Sequence, residues 1–331
     1  MNVAIDGSGI AAACCAHVLT RRGLPTRTMP RAGGGAPVVM LSATAVALIR
    51  DVFDRPDLLA TAHRITRRIV AWGGAVPATM PHDAIVVSGT ALAAALACDA
   101  VTDDAMTGDM TVRTRPRDVA PMMRFGTRVA WATMVRLCDR AAATDSWIEA
   151  IDAGWLFLIP SDAAGAAWLL SVGGPIDEAL RCSRHIAPRI VTGDAPHEMF
   201  DPAPRLAPQL TGPDWIACGS AAIAFDPIAG DGTAQAVRAA ILAAAVIGGI
   251  ADGGDPDALR GHYDAMLTAA MRRHLQLCAP FYLSGGTGGW WQAAHAALAR
   301  GHDACTARLA AAGPPRFVLD GHDLVPRALV A

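Results

Sequence analysis

A chain of 331 residues can bury a large core and is long enough for one large domain or two interleaved ones. Its formal net charge of −2, with no basic run and no basic–aromatic interleaving, argues against nucleic acid as a partner. All 28 basic residues are arginine, and the absence of lysine excludes Schiff bases, the P-loop lysine and any other chemistry that needs an amine side chain.

Eight cysteines, at 14, 15, 98, 138, 182, 218, 278 and 305, form no CxxC pair and no zinc spacing. They are expected to be reduced, small hydrophobes, and no metal site is expected. The chain opens on a strand rather than a leader, and its longest apolar run, Ala239 to Ile250, is too short for a bilayer. A soluble, cytoplasmic protein with no membrane span is the expectation.

Val3 to Ile5 predict a strand that runs into Gly7-Ser8-Gly9-Ile10-Ala11-Ala12 and then into an Ala-rich helix ended by Gly23. Strand, glycine turn and helix in that order give a glycine fingerprint its meaning. Gly7 permits the turn, Gly9 lets the backbone approach a pyrophosphate, and Ala12 lets the helix lie close to the strand. A glycine turn in an ordinary α/β domain is the plainer alternative. Pro25 to Met29 predict a second strand. Its end, Met29-Pro30-Arg31, lacks the carboxylate that dinucleotide folds place on the adenosine ribose, so Arg31 or main chain is expected there.

After Gly33-Gly34-Gly35, Ser42 to Phe53 predict a helix. Residues 66 to 80 predict strands of a second sheet, Ile85 to Val87 a further strand, and the stretch to Cys98 a helix. Residues 101 to 117 have hairpin-like polarity, and Arg124 to Ala143 predict an arginine-rich helix. Gly154 to Pro160 predict a buried strand, paired with Ala167 to Val172 across a turn at Asp162 to Gly165. Trp155 and Phe157 share a face of that strand, as core or as the wall of a cavity. Glu149 and Asp152 at its entrance read as solvated, and His63, His82, His185 and His274 as surface or capping histidines.

A second signature follows the strand Trp215 to Cys218. Gly219-Ser220 and Asp226-Pro227-x-x-Gly230-Asp231-Gly232-Thr233 open a long helix to about Ile250. Several N–H groups and a positive dipole end then face one spot, which suits a ring that carries negative charge. Asp226 reads as a cap on that turn or as a polar group beside the ring. Further on, Asp257 to Cys278 and Gln292 to Ala311 predict helices. Between them lies a Gly285–Trp291 loop whose Trp290 and Trp291 pack on the second sheet or dock a partner. Arg316 to Leu319 is strand-like.

Together, Gly7-x-Gly9-x-x-Ala12, Gly154-Trp155-x-Phe157-x-Ile159-Pro160 and Gly219-Ser220…Asp226-Pro227-x-x-Gly230-x-Gly232 resemble the FAD-dependent monooxygenase superfamily. The branch they resemble is that of the flavin-dependent tryptophan halogenases and their non-halogenating relatives. The resemblance implies an α/β fold: a Rossmann-like FAD-binding domain, discontinuous in sequence, with an inserted β-sheet substrate domain and a helical C-terminal segment. The expected division is 1–65, 85–118 and 195–255 for the FAD domain, 66–84 and 119–194 for the substrate domain, and 256–331 for the C-terminal segment. It also implies FAD on Gly7, Ser8, Gly9, Ile10, Ala11, Ala12, Arg31, Gly219, Ser220, Asp226, Pro227, Gly230, Asp231, Gly232 and Thr233, with Trp155, Phe157 and Asp226 at the cavity.

Ser220 stands where the family carries a carboxylate for the ribityl chain, which implies weaker FAD binding. Phe157 stands where the halogenases carry tryptophan. Those halogenases deliver the halogen through an essential lysine, and this chain has none, so lysine-dependent halogenation is excluded. What the resemblance leaves is hydroxylation of an electron-rich aromatic ring through a flavin C4a-hydroperoxide. The substrate is a free aromatic metabolite or a tryptophan in a partner peptide or protein, and a separate flavin reductase is a candidate electron donor. A flavin-fold binding or assembly protein with weak FAD affinity, or a reductase of isoprenoid or quinone type, are the alternatives.

Overall fold

The computed structural model describes residues 1–29, 36–97, 101–102, 108–115, 121–193 and 195–327. The first part of the chain runs β1 (Val3–Asp6), α1 (Ile10–Arg21), β2 (Thr26–Met29), β3 (Val39–Ser42), α2 (Ala43–Phe53), β4 (His63–Ala71), β5 (Ala78–Val87) and α3 (Gly89–Ala95). The middle runs β6 (Val101–Thr102), β7 (Met110–Arg113), β8 (Met123–Arg124), β9 (Ala130–Leu137), β10 (Asp145–Ile151), β11 (Gly154–Pro160), β12 (Ala166–Val172) and α4 (Ile176–Cys182). Short strands follow: β13 (Ile190–Thr192), β14 (Glu198–Phe200), β15 (Arg205–Leu206), β16 (Thr211–Gly212), β17 (Trp215–Ala217) and β18 (Ile223–Ala224). The chain closes with α5 (Gly232–Ala251), α6 (Pro256–Ser284), α7 (Gly289–Ala312), β19 (Phe317–Asp320) and β20 (Asp323–Pro326).

One sheet has the order β16-β17-β7-β1-β2-β6 and is parallel except at β16. A larger one has the order β13-β9-β12-β11-β10-β4-β5-β3, with β14 also on β9. It is antiparallel except between β4 and β10. The Rossmann-like parallel unit is assembled from distant segments, with the larger sheet between them in sequence and the helices α6 and α7 at the end. β4 and β5 run across residues 65 and 85, so that strand pair lies wholly in the larger sheet, where the sequence reading assigned it only 66–84.

Small residues set the spacing in the parallel unit. Ala11, Ala12, Cys14, Cys15 and Ala16 of α1 are buried, and Cys15 Sγ lies 3.4 Å from the Ala240 carbonyl of α5. α5 is long and apolar enough to cross a membrane, yet 72% of that window is buried inside the protein, as expected of a core helix. The larger sheet has two buried faces. Trp155, Phe157 and Ile159 join the main core, while Leu156 and Leu158 face a second core with Val135, Leu169, Ile176 and Ile186. That alternation explains why β11 reads as an unbroken apolar run.

Four expectations are corrected here. Residues 130–137 form a strand, not a helix. Thr133, Val135 and Leu137 are buried while Met134 and Arg136 between them are exposed, so a period of two with β-branched residues outweighed the helical spacing of the arginines. Residues 101–102 and 110–113 are no hairpin; each adds in parallel to a different side of the β1–β2 pair. Ile85 to Val87 is the end of β5 rather than a separate strand. Finally, α6 continues past Cys278 to Ser284, with Pro280 inside it.

Candidate functional site: two glycine turns and a cationic cavity

At the first turn Gly7 (φ 124°) and Gly9 (φ 90°) occupy conformations that L side chains rarely adopt. A Cβ on Gly7 would strike Thr114 Oγ1, whereas a Cβ on Gly9 would meet nothing within 4 Å. Gly7 is therefore held by neighbours, and Gly9 fronts open space. α1 starts there with no side-chain cap and no acidic residue in its first turn, so its N–H groups remain free to receive an anion. Gly219 (φ 56°) lies against this helix, where a Cβ would come within 2.7 Å of Ala11 Cβ. The adjacent Ser220 is exposed and donates its hydroxyl to the Thr114 carbonyl at 3.1 Å. Ser8 and Ile10 complete the turn. Arg31 lies outside the described residues.

The second turn is built differently. Asp226 Oδ1 accepts from the Ile228 N–H at 3.1 Å, capping the 3₁₀ turn Pro227–Ala229, and Gly230 (φ 65°) reverses the chain into α5. Gly230 and Gly232 front open space. Asp231 precedes α5 without capping it, its carboxylate turned instead to Arg238 Nη1 at 2.9 Å. Thr233 is half-buried in the first turn of the helix.

Behind this turn lies a buried polar network that the sequence reading missed. Asp226 Oδ2 accepts from Arg128 Nη2 at 3.0 Å and from the Tyr282 hydroxyl at 2.7 Å. The Asp226 N–H donates to His274 Nε2 at 2.8 Å, and the His274 ring stacks on Phe225 at 3.9 Å. Trp155 Nε1 donates to the Tyr282 hydroxyl at 3.4 Å. The Asp226 side chain is fully buried and that of Arg128 is 3% exposed. Burial raises the Asp226 carboxyl's pKa, against the pull of the Arg128 charge and its hydrogen bonds. Burial, helped by the Arg128 charge, pushes His274 down to about 3, so the imidazole is neutral and accepts at Nε2. His274, Cys278 and Tyr282 stand four residues apart on α6, a one-face spacing that the sequence does display.

Beside this turn a cavity of about 700 Å³ is lined by Ser42, Arg68, His82, Phe225, Gly230, Asp231, Arg238, Arg273 and His274, among others. Trp155 and Phe157 share a face of β11 as expected, but Trp155 is fully buried and neither side chain lines this cavity. Arg68 stands in front of Phe157, its guanidinium carbon 5.7 Å from the ring centre. His274 is a core residue, not a surface one, and His82 is a cavity residue.

Glu149 is also buried rather than solvated. It accepts from the Ser183 hydroxyl (2.6 Å) and the N–H groups of Arg184 (2.7 Å), His185 (3.0 Å) and Ile186 (2.9 Å), pinning a loop to the larger sheet. Trp291 is buried, with Nε1 donating to the Ile151 carbonyl at 3.0 Å, so the tryptophan pair at the start of α7 seats that helix on the sheet.

A parallel unit opened by one glycine turn and closed by another, with a second sheet between them in sequence, is the fold of flavin-dependent hydroxylases and halogenases. Among solved structures, the peptidyl tryptophan dihydroxylase QhpG, essential for tryptophylquinone cofactor biogenesis, matches with a TM-score of 0.78. The match covers 98% of this chain and 86% of that one at 18% identity. The myxobacterial chondrochloren halogenase CndH matches with a TM-score of 0.71 at 15% identity, over 94% of this chain and 90% of that one. The p-nitrophenol 4-monooxygenase PnpA from Pseudomonas putida DLL-E4 gives 0.62 at 14% identity, over 93% and 91%. No family model matches the sequence, and no curated protein does. The likeness is therefore one of fold.

Proposed function

We propose that the chain is an FAD-dependent monooxygenase that hydroxylates an electron-rich aromatic ring. The observation that carries this reading is the pair of uncapped, glycine-opened helix N-termini at α1 and α5, with open space at Gly9, Gly230 and Gly232. Two such cradles fit a long cofactor with an anionic middle and a ring that becomes anionic on reduction. Gly7, Ser8, Gly9, Ile10, Ala11 and Ala12 would take the pyrophosphate, Gly219 and Ser220 the sugar chain, and Pro227 and Gly230 to Thr233 the ring. FAD, when bound, supplies the activation of O₂.

The chain's own residues do the rest. The Asp226–Arg128–Tyr282 network fixes the turn, the N–H groups opening α5 stabilise negative charge, and the cavity beside them receives the reacting ring. The parallel unit serves as the cofactor domain and the larger sheet as the substrate domain. The substrate is a free aromatic compound or a tryptophan of a peptide; the peptidyl tryptophan dihydroxylase among the fold's relatives supports the latter. A separate flavin reductase is the candidate electron donor.

Exposed Ser220, in place of a carboxylate, favours a second reading, a flavin-fold binding protein with weak FAD affinity. Titration with FAD separates the two. A rise in melting temperature and a bound-flavin spectrum, followed by a product one oxygen heavier when reduced FAD and O₂ are supplied, is expected of the oxygenase. FAD binding that is weak or absent, with no oxygenated product, leaves the second reading. Double-bond reduction without O₂ uptake would instead mark a reductase of isoprenoid or quinone type.

A further inference from the structure

The proposed oxygen chemistry makes no use of Arg68, one of three arginines among the described residues that line the cavity. Adjacent residues on a strand point to opposite faces. On β4, Arg67 turns to Asp145 and makes two bonds to its carboxylate, at 2.8 and 2.7 Å. Arg68 turns the other way, over Phe157 and into the cavity wall. Its Nη2 lies 2.9 Å from His82 Nε2, and its Nε is buried with no hydrogen-bond partner. Among the described residues no carboxylate pairs with it. Burial, with the Arg68 charge beside it, lowers the His82 pKa, so the imidazole is a neutral acceptor and brings no counter-charge. Arg273 stands exposed on the same wall, and Arg238 is bound to Asp231. A half-buried cation without a counter-ion has lost hydration that one neutral imidazole acceptor returns only in part.

We infer that this cavity reads a carboxylate on the substrate, with Arg68 as its principal partner and Arg273 at the rim. A planar guanidinium offers N–H groups that match a carboxylate, and among the described residues the Arg68 head group is bonded to His82 alone. The aromatic part of the substrate then lies in the remainder of the cavity, beside the Gly230 turn. The carboxylate belongs either to a free aromatic acid or to an acidic side chain next to the target tryptophan of a peptide. This inference rests on reading the cavity as the oxygenase's substrate site.

The test compares acids with their neutral amides by calorimetry, on protein with and without FAD. The probes are indole-3-propionate against indole-3-propionamide, and a blocked Glu-Trp dipeptide against blocked Gln-Trp. In the unaltered protein at least one acid should bind about tenfold or more tighter than its amide. Arg68→Gln should abolish that ratio and leave FAD affinity unchanged. Arg64→Gln, on the same strand but exposed and paired with Asp83 at 2.9 Å, should keep it. Preference for the free acid alone marks a metabolite, and preference for Glu-Trp marks a peptide; either supports the site. The inference is overturned if neither acid binds, if acids and amides bind alike, or if Arg68→Gln weakens FAD while the ratio persists. Acid selectivity in a protein that takes up no FAD would keep the anion site and discard the oxygenase.

Discussion

The α1 turn is made of small residues and main chain: Gly7 against Thr114, Gly219 against Ala11, and an exposed Ser220 hydroxyl on a carbonyl. The α5 turn has the same kind of glycine opening but is backed by a fully buried carboxylate, a guanidinium, a phenol and a neutral imidazole from three separate parts of the chain. The first is shaped by backbone conformation and by close contacts of small residues and hydroxyls. The second is held in shape before any ligand arrives. In a protein that grips one long cofactor at both ends, this predicts a ring held in a fixed orientation and a phosphate end that exchanges readily.

The comparison breaks most directly at Asp226. Asp226→Ala strands the Arg128 charge in the core, and removing one partner of a buried pair costs about 3–5 kcal/mol. Urea denaturation should show a loss of that size. A loss no greater than that of Asp231→Ala, whose carboxylate is 44% exposed, would mean that the network does not hold the turn. At the other turn, Gly9→Ala should cost roughly 1–3 kcal/mol, because φ 90° with ψ −173° lies in a region reserved for glycine. It should weaken FAD binding at least about tenfold, since the added methyl projects into the open space a pyrophosphate needs.

Acid pH probes the second turn through His274. The folded pKa of His274, about 3, is below the ordinary value of 6.5, so the unfolded chain binds the proton first. The stability that neutral His274 allows is therefore present above pH 6.5 and is lost as pH falls toward 3, with a slope of up to about 1.4 kcal/mol per pH unit. Asp226 opposes this, because its raised pKa lets the folded state take a proton before the unfolded chain does. His274→Gln, which keeps an acceptor without a titrating ring, should flatten the acid limb of a denaturation series. An unchanged slope would assign the acid sensitivity elsewhere.

Both glycine turns were legible because their signal is local: a strand, two glycines and a helix within a dozen residues. The network behind α5 was not, because its members come from residues 128, 226, 274 and 282 and meet only through tertiary packing. A partial signal existed in the spacing of His274, Cys278 and Tyr282, and in Asp226 sitting one residue before a helix-opening proline. Arg68 was readable from the pair Arg67-Arg68 within a strand, since one of two neighbours must face inward. The error at 130–137 has the same root. Arginines at 124, 128, 136 and 140 share a helical spacing by coincidence, while Arg128 serves the core and Arg136 the solvent.

The smallest expected effect tests the looser end alone. Ser220→Asp restores a carboxylate at an exposed position, so the desolvation that makes buried charges costly does not arise. The hydroxyl's bond to the Thr114 carbonyl is lost, a cost of about 1 kcal/mol at most at an exposed site. A charged acceptor for a ribityl hydroxyl returns about 1.5–3 kcal/mol. The balance predicts FAD binding tighter by a few-fold to about tenfold. The melting temperature of the FAD-free protein should stay within the scatter of surface substitutions. If Ser220→Asp tightens FAD without altering the flavin's spectrum, the two ends act independently. If the spectrum shifts as well, a change at the α1 end reaches the ring, and the α5 turn is less rigid than its buried network implies.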